Sequence, residues 1–463
     1  MIATVFERIG LGHGGTTLTL AAVLAGMFGI QPLATAASFL VTGALANPRA
    51  YHTATLLANG KVLVAGGSDD THSLSSAELY DPVTGEWTLT GAMNDARDAH
   101  AAALLANGKV LVTGGFGGPT LSSAELYDPA TGAWTLTGAM NTDRDSHTAT
   151  LLPNGMVLVA GGEDASDHAL SSAELYDPVA GTWTATGSMS SGRLSHTATL
   201  LADGRVLVTG GDVLGGVSAE IYDPASGTWV DADDMHASRW NHTATLLPNG
   251  RVLVAGGVRP AGFGLISTDS AEIYDPITDT FTPTGPMLSY VPYAAGRGHH
   301  TATLLPSGKV LVAGGGYADQ SREVVDISNA NLYDPATGTW AAAASLNTAR
   351  DSHTATLLPN GNVLLTGGYA YTGDYFSSTE RYGVPPATAL LTRTSRLANG
   401  SFQFGFSNAP GALLSVISTT NVALPSSNWT VLGAATEISP GQFQFTDTQT
   451  TNYPHRFYSL RSP

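Results

Sequence analysis

The chain has 463 residues, a formal net charge of −17 from 20 basic and 37 acidic residues, and no cysteine. An acidic surface repels nucleic acid and anionic membranes, so neither is an expected partner. The absence of cysteine excludes disulfides, thiol nucleophiles and cysteine-ligated metals or cofactors. With 54 glycines and only 12% charged residues, the composition favours an all-β protein of short strands and tight turns.

Residues 1–36 are typical of an export signal. A short polar start holds Arg8, an apolar run covers residues 17–30, and the sequence ATA at 34–36 fits the small-residue rule for cleavage. The alternative is a retained membrane anchor, although the apolar run is short for a bilayer span. The segment predicts a bacterial protein that is secreted, periplasmic or on the cell surface, with no membrane span after cleavage.

A segment of about 50 residues occurs seven times along the chain, which indicates a repeat architecture. Each repeat opens with a histidine, and successive histidines are separated by 48, 47, 49, 46, 58 and 53 residues. These seven histidines number the repeats from first to seventh: His52, His100, His147, His196, His242, His300 and His353.

Within each repeat the pattern predicts four strands, named a to d. Strand a reads HTATLL, and an Asn-Gly or similar hairpin turn joins it to strand b, which reads VLVAGG or VLVTGG. Strand c reads AELYDP or AEIYDP and ends at its proline, which cannot donate to a ladder. Strand d reads TWTLTGAM or similar. Four antiparallel strands in succession predict one blade of a β-propeller.

Three positions in this pattern resemble the kelch repeat: the double glycine after strand b, the tyrosine of strand c and the tryptophan of strand d. The first repeat carries them at 66–67, Tyr80 and Trp87. The resemblance covers roughly residues 39–384 and implies a kelch propeller of the galactose-oxidase-like superfamily. Phe281 replaces the tryptophan in the fifth repeat, and the seventh repeat has no strand d.

The missing strand predicts how the ring closes. Residues 38–52 align without gaps on residues 86–100, with Phe39 in the place of Trp87. We therefore expect a seven-bladed propeller over residues 37–384, in which an N-terminal strand d completes the blade begun by the C-terminal strands a to c. A closed ring leaves no blade without a neighbour.

Residues 387–463, after a Val-Pro-Pro linker, predict a small β-sandwich. Apolar stretches alternate with Pro, Gly, Ser and Asn, and the expected strands are 402–406, 413–418, 429–433, 443–447 and 455–462. The segment resembles the C-terminal β-module of exported proteins from Verrucomicrobia-like bacteria. The residues that carry this likeness are Pro410-Gly411, Asn428-Trp429-Thr430 and Arg456-Phe457-Tyr458.

Loop lengths distinguish the two faces of the expected propeller. The a–b turn is constant, since 14 residues separate the histidine from the first glycine of the pair in every repeat. The b–c loops vary from 7 residues in the fourth repeat to 14 in the sixth, and the d–a connection from Met287 to His300 is 13 residues where the others are 7. Variable loops on a rigid scaffold usually hold binding sites. We therefore expect a site on the b–c and d–a face of blades 5 to 7.

These long loops contain aromatic side chains with polar groups nearby, a combination that suits a sugar ring or a peptide. The alternative is that the aromatics only pack the loops onto the propeller rim. The candidate binding residues are Phe263, Tyr290, Tyr293, Arg297, Tyr317, Arg322, Tyr369, Tyr371, Asp374 and Tyr375.

The polar residues that recur in every repeat are expected to have structural roles. One histidine per blade around an axis does not converge to the ~2 Å bonds of a metal site, so we expect repeated hydrogen bonds; the doubled His299-His300 is the one pair to test for metal. An arginine three residues before each histidine is expected to pair with the glutamate of strand c. The alternative is an arginine ring that grips an acidic ligand. Asn331 replaces the glutamate in the sixth repeat, which would leave its arginine free.

Two classes of function remain. The first is an exported, non-catalytic propeller that binds a protein or a carbohydrate, with no catalytic residue, metal or cofactor. The second is a carbohydrate-active enzyme of the kelch superfamily, an oxidase or an epimerase. The oxidase cofactor, as the family is known, needs a tyrosine cross-linked to a cysteine, and this chain has no cysteine. No asymmetric acid–base pair stands out to support an epimerase.

Overall fold

The computed structural model describes residues 37–213, 215–261, 264–288, 296–318, 324–383, 390–397, 401–407, 415–419, 430–439, 442–448 and 457–461. Within these ranges every regular element is a β-strand, and there is no helix long and apolar enough to cross a bilayer. The predicted signal and the Val-Pro-Pro linker lie outside the described residues. By its internal contacts the chain divides into one unit of residues 37–383 and a second that includes residues 384–463.

The unit of residues 37–383 contains the predicted four-strand pattern seven times. Strand a begins one residue after the histidine of each repeat, and its copies are Thr53–Leu56, Ala101–Leu104, Thr148–Leu151, Thr197–Leu200, Thr243–Leu246, Thr301–Leu304 and Thr354–Leu357. Strand b runs up to the double glycine, as Val62–Ala65, Val110–Thr113, Val157–Ala160, Val206–Thr209, Val252–Ala255, Val310–Ala313 and Val363–Thr366.

Strand c includes the tyrosine in every repeat and comprises Ala77–Asp81, Ala124–Asp128, Ala173–Asp177, Ala219–Asp223, Ala271–Asp275, Ala330–Asp334 and Thr379–Gly383. Six repeats continue into their own strand d, which comprises Glu86–Leu89, Ala133–Leu136, Thr182–Ala185, Thr228–Asp231, Thr280–Pro283 and Thr339–Ala342. In each of these repeats the four strands pair antiparallel in the order a, b, c, d.

The seventh sheet takes its fourth strand from the N-terminal part of the described chain. Ser38–Val41 pairs antiparallel with Glu380–Gly383, which places Phe39 opposite Tyr382. Their ring centroids are 4.9 Å apart, against 5.1 Å for the Tyr80–Trp87 pair of the first repeat. Phe39 therefore occupies the position that tryptophan has in most other sheets.

The hydrophobic core lies between successive sheets. Strand b is buried along its whole length in every repeat, because each sheet is covered by a neighbour on both faces. Leu63 of the first sheet packs in one cluster with Val110 of the second. On its other face the first sheet contributes Val62 to a cluster with Leu358 and Leu364 of the seventh. The uninterrupted VLVA run of strand b follows from this two-sided burial.

The long b–c loops of the fifth and sixth repeats form small hairpins that the sequence did not predict. In the fifth repeat Val258–Ala261 pairs with Gly264–Ser267, and in the sixth Gly316–Ala318 pairs with Val324–Asp326. These hairpins lie in the long, variable loops where we expected a binding site.

The C-terminal unit contains two described sheets. One comprises Leu390–Arg396, Phe402–Ser407, Gln442–Asp447 and Thr436–Ser439 in that order, and the other Thr430–Ala434, Ser415–Thr419 and Phe457–Arg461. Phe404 and Phe443 of the first sheet form a buried cluster with Val416 of the second. Strands occur at all five predicted positions, and Leu390–Arg396 and Thr436–Ser439 are additional.

Candidate functional site

The d–a and b–c connections lie on one face of the repeat unit, as predicted. In six repeats the residue two before the histidine forms a β-bridge with the residue after the double glycine; Asp98 with Phe116 and Asp351 with Tyr369 are examples. The fourth repeat joins Arg193 to Asp212 instead. We call the surface formed by these connections in all seven repeats the mouth.

A cycle of backbone hydrogen bonds runs around the mouth. The residue just before each histidine has a left-handed backbone, with φ between 48° and 55°. Its N–H donates to the carbonyl of the same position in the preceding repeat, as from Ala99 to Tyr51 at 3.0 Å, and Tyr51 donates to Ser352 at 3.2 Å. An L-residue in this conformation costs about 1–2 kcal/mol, which these bonds offset. The participants are Tyr51, Ala99, Ser146, Ser195, Asn241, His299 and Ser352.

The histidines that follow this cycle are buried and join neighbouring repeats, which confirms their predicted hydrogen-bonding role. Nε2 of His100 lies 2.9 Å from Thr53 Oγ1, and Nε2 of His52 lies 2.9 Å from Thr354 Oγ1. Loss of hydration lowers the pKa of His100 to about 3, so the ring is neutral at physiological pH.

The doubled histidine of the sixth repeat is the pair that the sequence singles out for a metal test. Nε2 of His300 is 3.0 Å from Thr243 Oγ1, and burial lowers the pKa of His299 to about 4. Among the described residues, no group of three or more His, Asp or Glu side chains converges as metal ligands would.

The arginines are also inside the repeats. Arg144 donates to the carbonyls of Gly161 and Ser172 and to Glu174 at 3.1 Å. Glu174 in turn accepts the backbone N–H groups of Asn141 and Thr142, which fixes the d–a connection. The arginine side chains of the six pairs are fully buried, so the alternative of an arginine ring that grips an acidic ligand is wrong. The pairs, 2.7–3.1 Å apart, are Arg49–Glu78, Arg97–Glu125, Arg144–Glu174, Arg193–Glu220, Arg239–Glu272 and Arg350–Glu380.

The surroundings of Arg297 in the sixth repeat differ from two predictions, that it is free and that it is exposed for binding. It is only 4% exposed, and its Nη1 donates to the carbonyls of Gly314 at 3.0 Å and Asn329 at 2.8 Å. Although Asn331 stands in the place of glutamate, Arg297 is therefore not free. Its guanidinium is bonded to the two carbonyls that correspond to those held by the arginines of the other repeats, and it is buried as they are. We remove it from the candidate binding residues.

Four candidate residues lie together in the b–c loop of the seventh repeat. Tyr369 and Tyr375 face each other across this loop, with ring centroids 5.5 Å apart. Tyr371 is 56% exposed, and its backbone N–H donates to Asp326 Oδ2 at 2.8 Å. Asp374 is exposed and accepts a hydrogen bond from Thr372. The contact with Asp326 joins this loop to the hairpin of the sixth repeat.

The remaining candidates are more dispersed. Tyr317 is half-buried and pairs with Val325 across the hairpin of the sixth repeat. Four further candidates lie outside the described residues: Phe263, Tyr290, Tyr293 and Arg322.

The structure adds two acidic residues that the sequence did not single out. Asp351 exchanges backbone hydrogen bonds with Tyr369, 3.0 Å in each direction, and only 6% of it is exposed. Oδ1 of Asp351 and Oδ1 of Asp326 are both buried, and neither makes a hydrogen bond with a described residue. Burial raises the pKa of Asp351 to about 7; a hydrogen bond with the Ser352 side chain acts in the opposite direction, and the charge of Asp326 adds to the rise. Burial also raises the pKa of Asp326.

One sequence signal could have found Asp351. The second position of the Arg-x-x-His pattern is aspartate in three repeats, as Asp98, Asp145 and Asp351. The first two have hydroxyl partners, since Ser73 donates to Asp98 at 2.7 Å and Thr120 to Asp145 at 3.5 Å. Asp351 alone of the three stands beside the long loop of the sixth repeat.

Comparison with known proteins agrees with the repeat pattern. The kelch motif family matches residues 48–94, 99–141, 146–190 and 239–288. A solved structure of a fungal alcohol oxidase of the AA5 family, in complex with copper, has a similar fold: its TM-score is 0.61 at 18% sequence identity, covering 92% of this chain and 96% of that one. No curated protein sequence matches the chain.

Proposed function

We propose that the chain is a kelch-repeat β-propeller whose sheets form one closed wheel of seven blades, and that it binds a protein or carbohydrate partner at the mouth and catalyses no reaction. Two contacts support closure: the pairing of residues 38–41 with residues 380–383, and the hydrogen bond from Tyr51 to Ser352. In this proposal the propeller covers residues 37–384, a β-sandwich follows at 387–463, and the protein is exported.

The observation that carries the binding function is the contrast between the recurring residues and the seventh-repeat loop. Histidine and tryptophan side chains are tied to neighbouring repeats, as when Trp134 Nε1 donates to the Gly91 carbonyl at 2.8 Å, and arginine side chains are tied to their own repeat. Tyr371 is exposed, and Tyr369 and Tyr375 are only partly covered. Partly covered aromatic rings beside carboxylates are typical of binding sites for peptides and sugars.

The copper chemistry of the alcohol oxidase does not fit the residues described. Copper in proteins takes several nitrogen, sulfur or oxygen ligands that converge on one point. The described histidines, aspartates and glutamates contain no such group, and the chain has no cysteine. Nε2 of each repeat histidine is already within hydrogen-bond distance of a threonine, as at His196 and Thr148. We therefore derive no reaction step on copper.

A glycan array and partner capture with the purified full chain test the proposal. The variants are Tyr371→Ala and Tyr375→Ala, and the control is Val179→Ala, which changes a 96% exposed side chain in a c–d turn away from the mouth. We expect a bound molecule that the tyrosine variants lose and the control retains.

Two results would contradict the proposal. One is a bound molecule that both tyrosine variants retain. The other is stoichiometric copper or iron in the purified protein together with turnover of an alcohol or a sugar, which would favour the enzyme.

A further inference from the structure

Asp351 and Asp326 form an acidic pair with unused hydrogen-bonding capacity. They belong to different repeats, and a buried carboxylate oxygen without a partner is costly. Both have such an oxygen, the buried Oδ1. Asp326 accepts the backbone N–H of Tyr371, and Asp351 is bonded through its backbone to Tyr369, so both carboxylates lie beside the same stretch of the seventh-repeat loop. The charge of Asp326 also contributes to the raised pKa of Asp351. A positive group that reached both oxygens would satisfy them.

Among the described residues, two arginines from the same repeats as the acidic pair are already committed. Arg350, next to Asp351 in sequence, pairs with Glu380 at 3.0 Å and lies 5.2 Å from the ring centre of Phe376. Arg297 is bonded to the carbonyls of its own repeat. The positive charge must therefore come from outside these two side chains.

Three tyrosines lie near the acidic pair. Tyr369 is bonded through its backbone to Asp351, and Tyr371 through its backbone to Asp326. Tyr51, 39% exposed, is close enough for Asp351 to raise its pKa, although burial is the larger cause. Aromatic faces attract cations, and the attraction grows when water is excluded.

We propose that Asp351 and Asp326, flanked by Tyr51, Tyr369 and Tyr371, form a subsite for an organic cation, the guanidinium or ammonium group of a basic side chain on a protein partner. This inference rests on the proposed function and names the chemistry of the partner. A guanidinium can bond two carboxylates and stack on a tyrosine at once. The net charge of −17 also favours approach of a basic partner.

The Oδ1 atoms of Asp351 and Asp326 are covered, which favours a basic side chain over a sugar as the ligand. Both Oδ1 atoms are shielded from solvent, while more than half of Tyr371 is exposed. A slender arginine or lysine side chain can reach covered oxygens of this kind, whereas a broad sugar ring would reach them less readily.

The subsite should respond to pH through Asp351. The titratable groups that face it are Asp326, Tyr51, Tyr369 and, through Ser352, His299. The histidine is neutral near pH 7 because burial lowers its pKa to about 4, and burial raises that of Tyr369 to about 12. Asp351, whose pKa is about 7, is therefore the group that changes charge near neutral pH. A cation prefers its ionised form, so affinity should rise between about pH 6 and pH 8 and binding should release a proton.

Calorimetry on the full chain tests the subsite with the capped peptide Gly-Arg-Gly and its neutral isostere Gly-citrulline-Gly. The variants are Asp351→Asn and Asp326→Asn, which keep the side-chain shape. The control is Asp98→Asn, at the equivalent position of the second repeat. We expect the arginine peptide to bind, with about tenfold lower affinity in the Asp351 variant, no change in the control, and no pH dependence without Asp351.

Several outcomes overturn the inference: no binding of the arginine peptide, equal binding of the citrulline peptide, or binding unaffected by Asp351→Asn. Glucosamine bound in preference to the arginine peptide would overturn the assignment to a protein partner, with N-acetylglucosamine as its neutral control. A partner lost in the Tyr371 variant but retained in the Asp351 variant would leave the proposed function intact and remove the cation subsite. Binding of the arginine peptide through Asp351, with no partner found at the mouth, would support the cation subsite and contradict the proposed binding function.

Discussion

Thr113 Oγ1 lies 2.9 Å from Nε2 of His147. This contact takes the place of the hydrogen bond that strand a makes to the next histidine in most other repeats. In most repeats the hydroxyl comes from the first residue of strand a, as from Thr148 to His196 at 3.1 Å. The second repeat has Ala101 at that position. Thr113, at the end of strand b, supplies the hydroxyl instead. The bond between repeats is thus kept although the residue that makes it changes.

Thr113→Val should destabilise the protein by about 1.5 kcal/mol, because the buried imidazole nitrogen of His147 loses its hydroxyl partner. Thr366→Val is the matched control at the same position of the seventh repeat. Its hydroxyl is buried without a hydrogen bond to a described residue, so the change should be neutral or slightly stabilising. Urea unfolding followed by tryptophan fluorescence measures both. Equal losses in the two variants would contradict the role of the Thr113 hydroxyl.

Glu174→Gln should cost about 3 kcal/mol of stability, because the change leaves the buried charge of Arg144 without its partner. The control is Lys109→Met, which removes an exposed pair with Asp128 and should leave the unfolding midpoint unchanged. Thermal unfolding of both variants is the measurement. A Glu174 variant as stable as the wild type would show that the pair is not required within the repeat.

Phe39→Ala should cost about 3 kcal/mol, because the ring is buried against Tyr382 in the core of the seventh sheet. Val41→Ala, two residues further along the same strand and exposed, is the control and should have little effect. Limited proteolysis should cleave residues 379–383 faster in the Phe39 variant if the N-terminal strand protects them. Equal cleavage rates would argue against closure by this strand.

Acid should destabilise the protein steeply below about pH 6.5. The buried histidines have depressed pKa values, about 3 at His196 and His353, because burial disfavours the charged ring. The unfolded chain therefore takes up protons, near its ordinary pKa of about 6.5, that the folded protein does not. The stability that the neutral rings contribute is complete above that pH and is lost as the pH falls toward the folded values. Asp351, whose pKa is raised to about 7, works in the opposite direction and offsets about one ring.

Unfolding midpoints between about pH 4 and pH 7 give the number of protons taken up. His196→Gln should reduce that number by about one relative to the wild type. An unchanged slope would mean that the ring of His196 does not stay neutral in the folded protein.

The recurring part of this molecule could be predicted from the sequence because it is local or repeated. Strand order, the hairpin turns and the pairing of arginine with glutamate follow from spacings that occur many times in one chain. The structural role of the histidines also followed, since seven equivalent rings cannot all reach one ion. The position of Phe39 could be predicted because residues 38–52 align on a complete repeat.

The site could be predicted only in part, for reasons of distance and burial. Tyr371 stood out because its loop departs from the repeat. The meeting of Asp351 with Asp326 depends on how the hairpin of the sixth repeat lies against the loop of the seventh, which no spacing reveals. Arg297 was misread because the substitution at Asn331 removed one partner, whereas backbone carbonyls still held the guanidinium.

The cycle of backbone hydrogen bonds around the mouth has an electrostatic consequence. Every bond in the cycle leads from one repeat to the one before it, so the peptide dipoles follow one another in a circle and their sum is small. The end of a helix differs, because its dipoles add along one axis and select ions of one sign. Backbone dipoles therefore favour neither sign of charge at the mouth. Side chains decide it, and in three repeats the position two before the histidine places a carboxyl group there, at Asp98, Asp145 and Asp351.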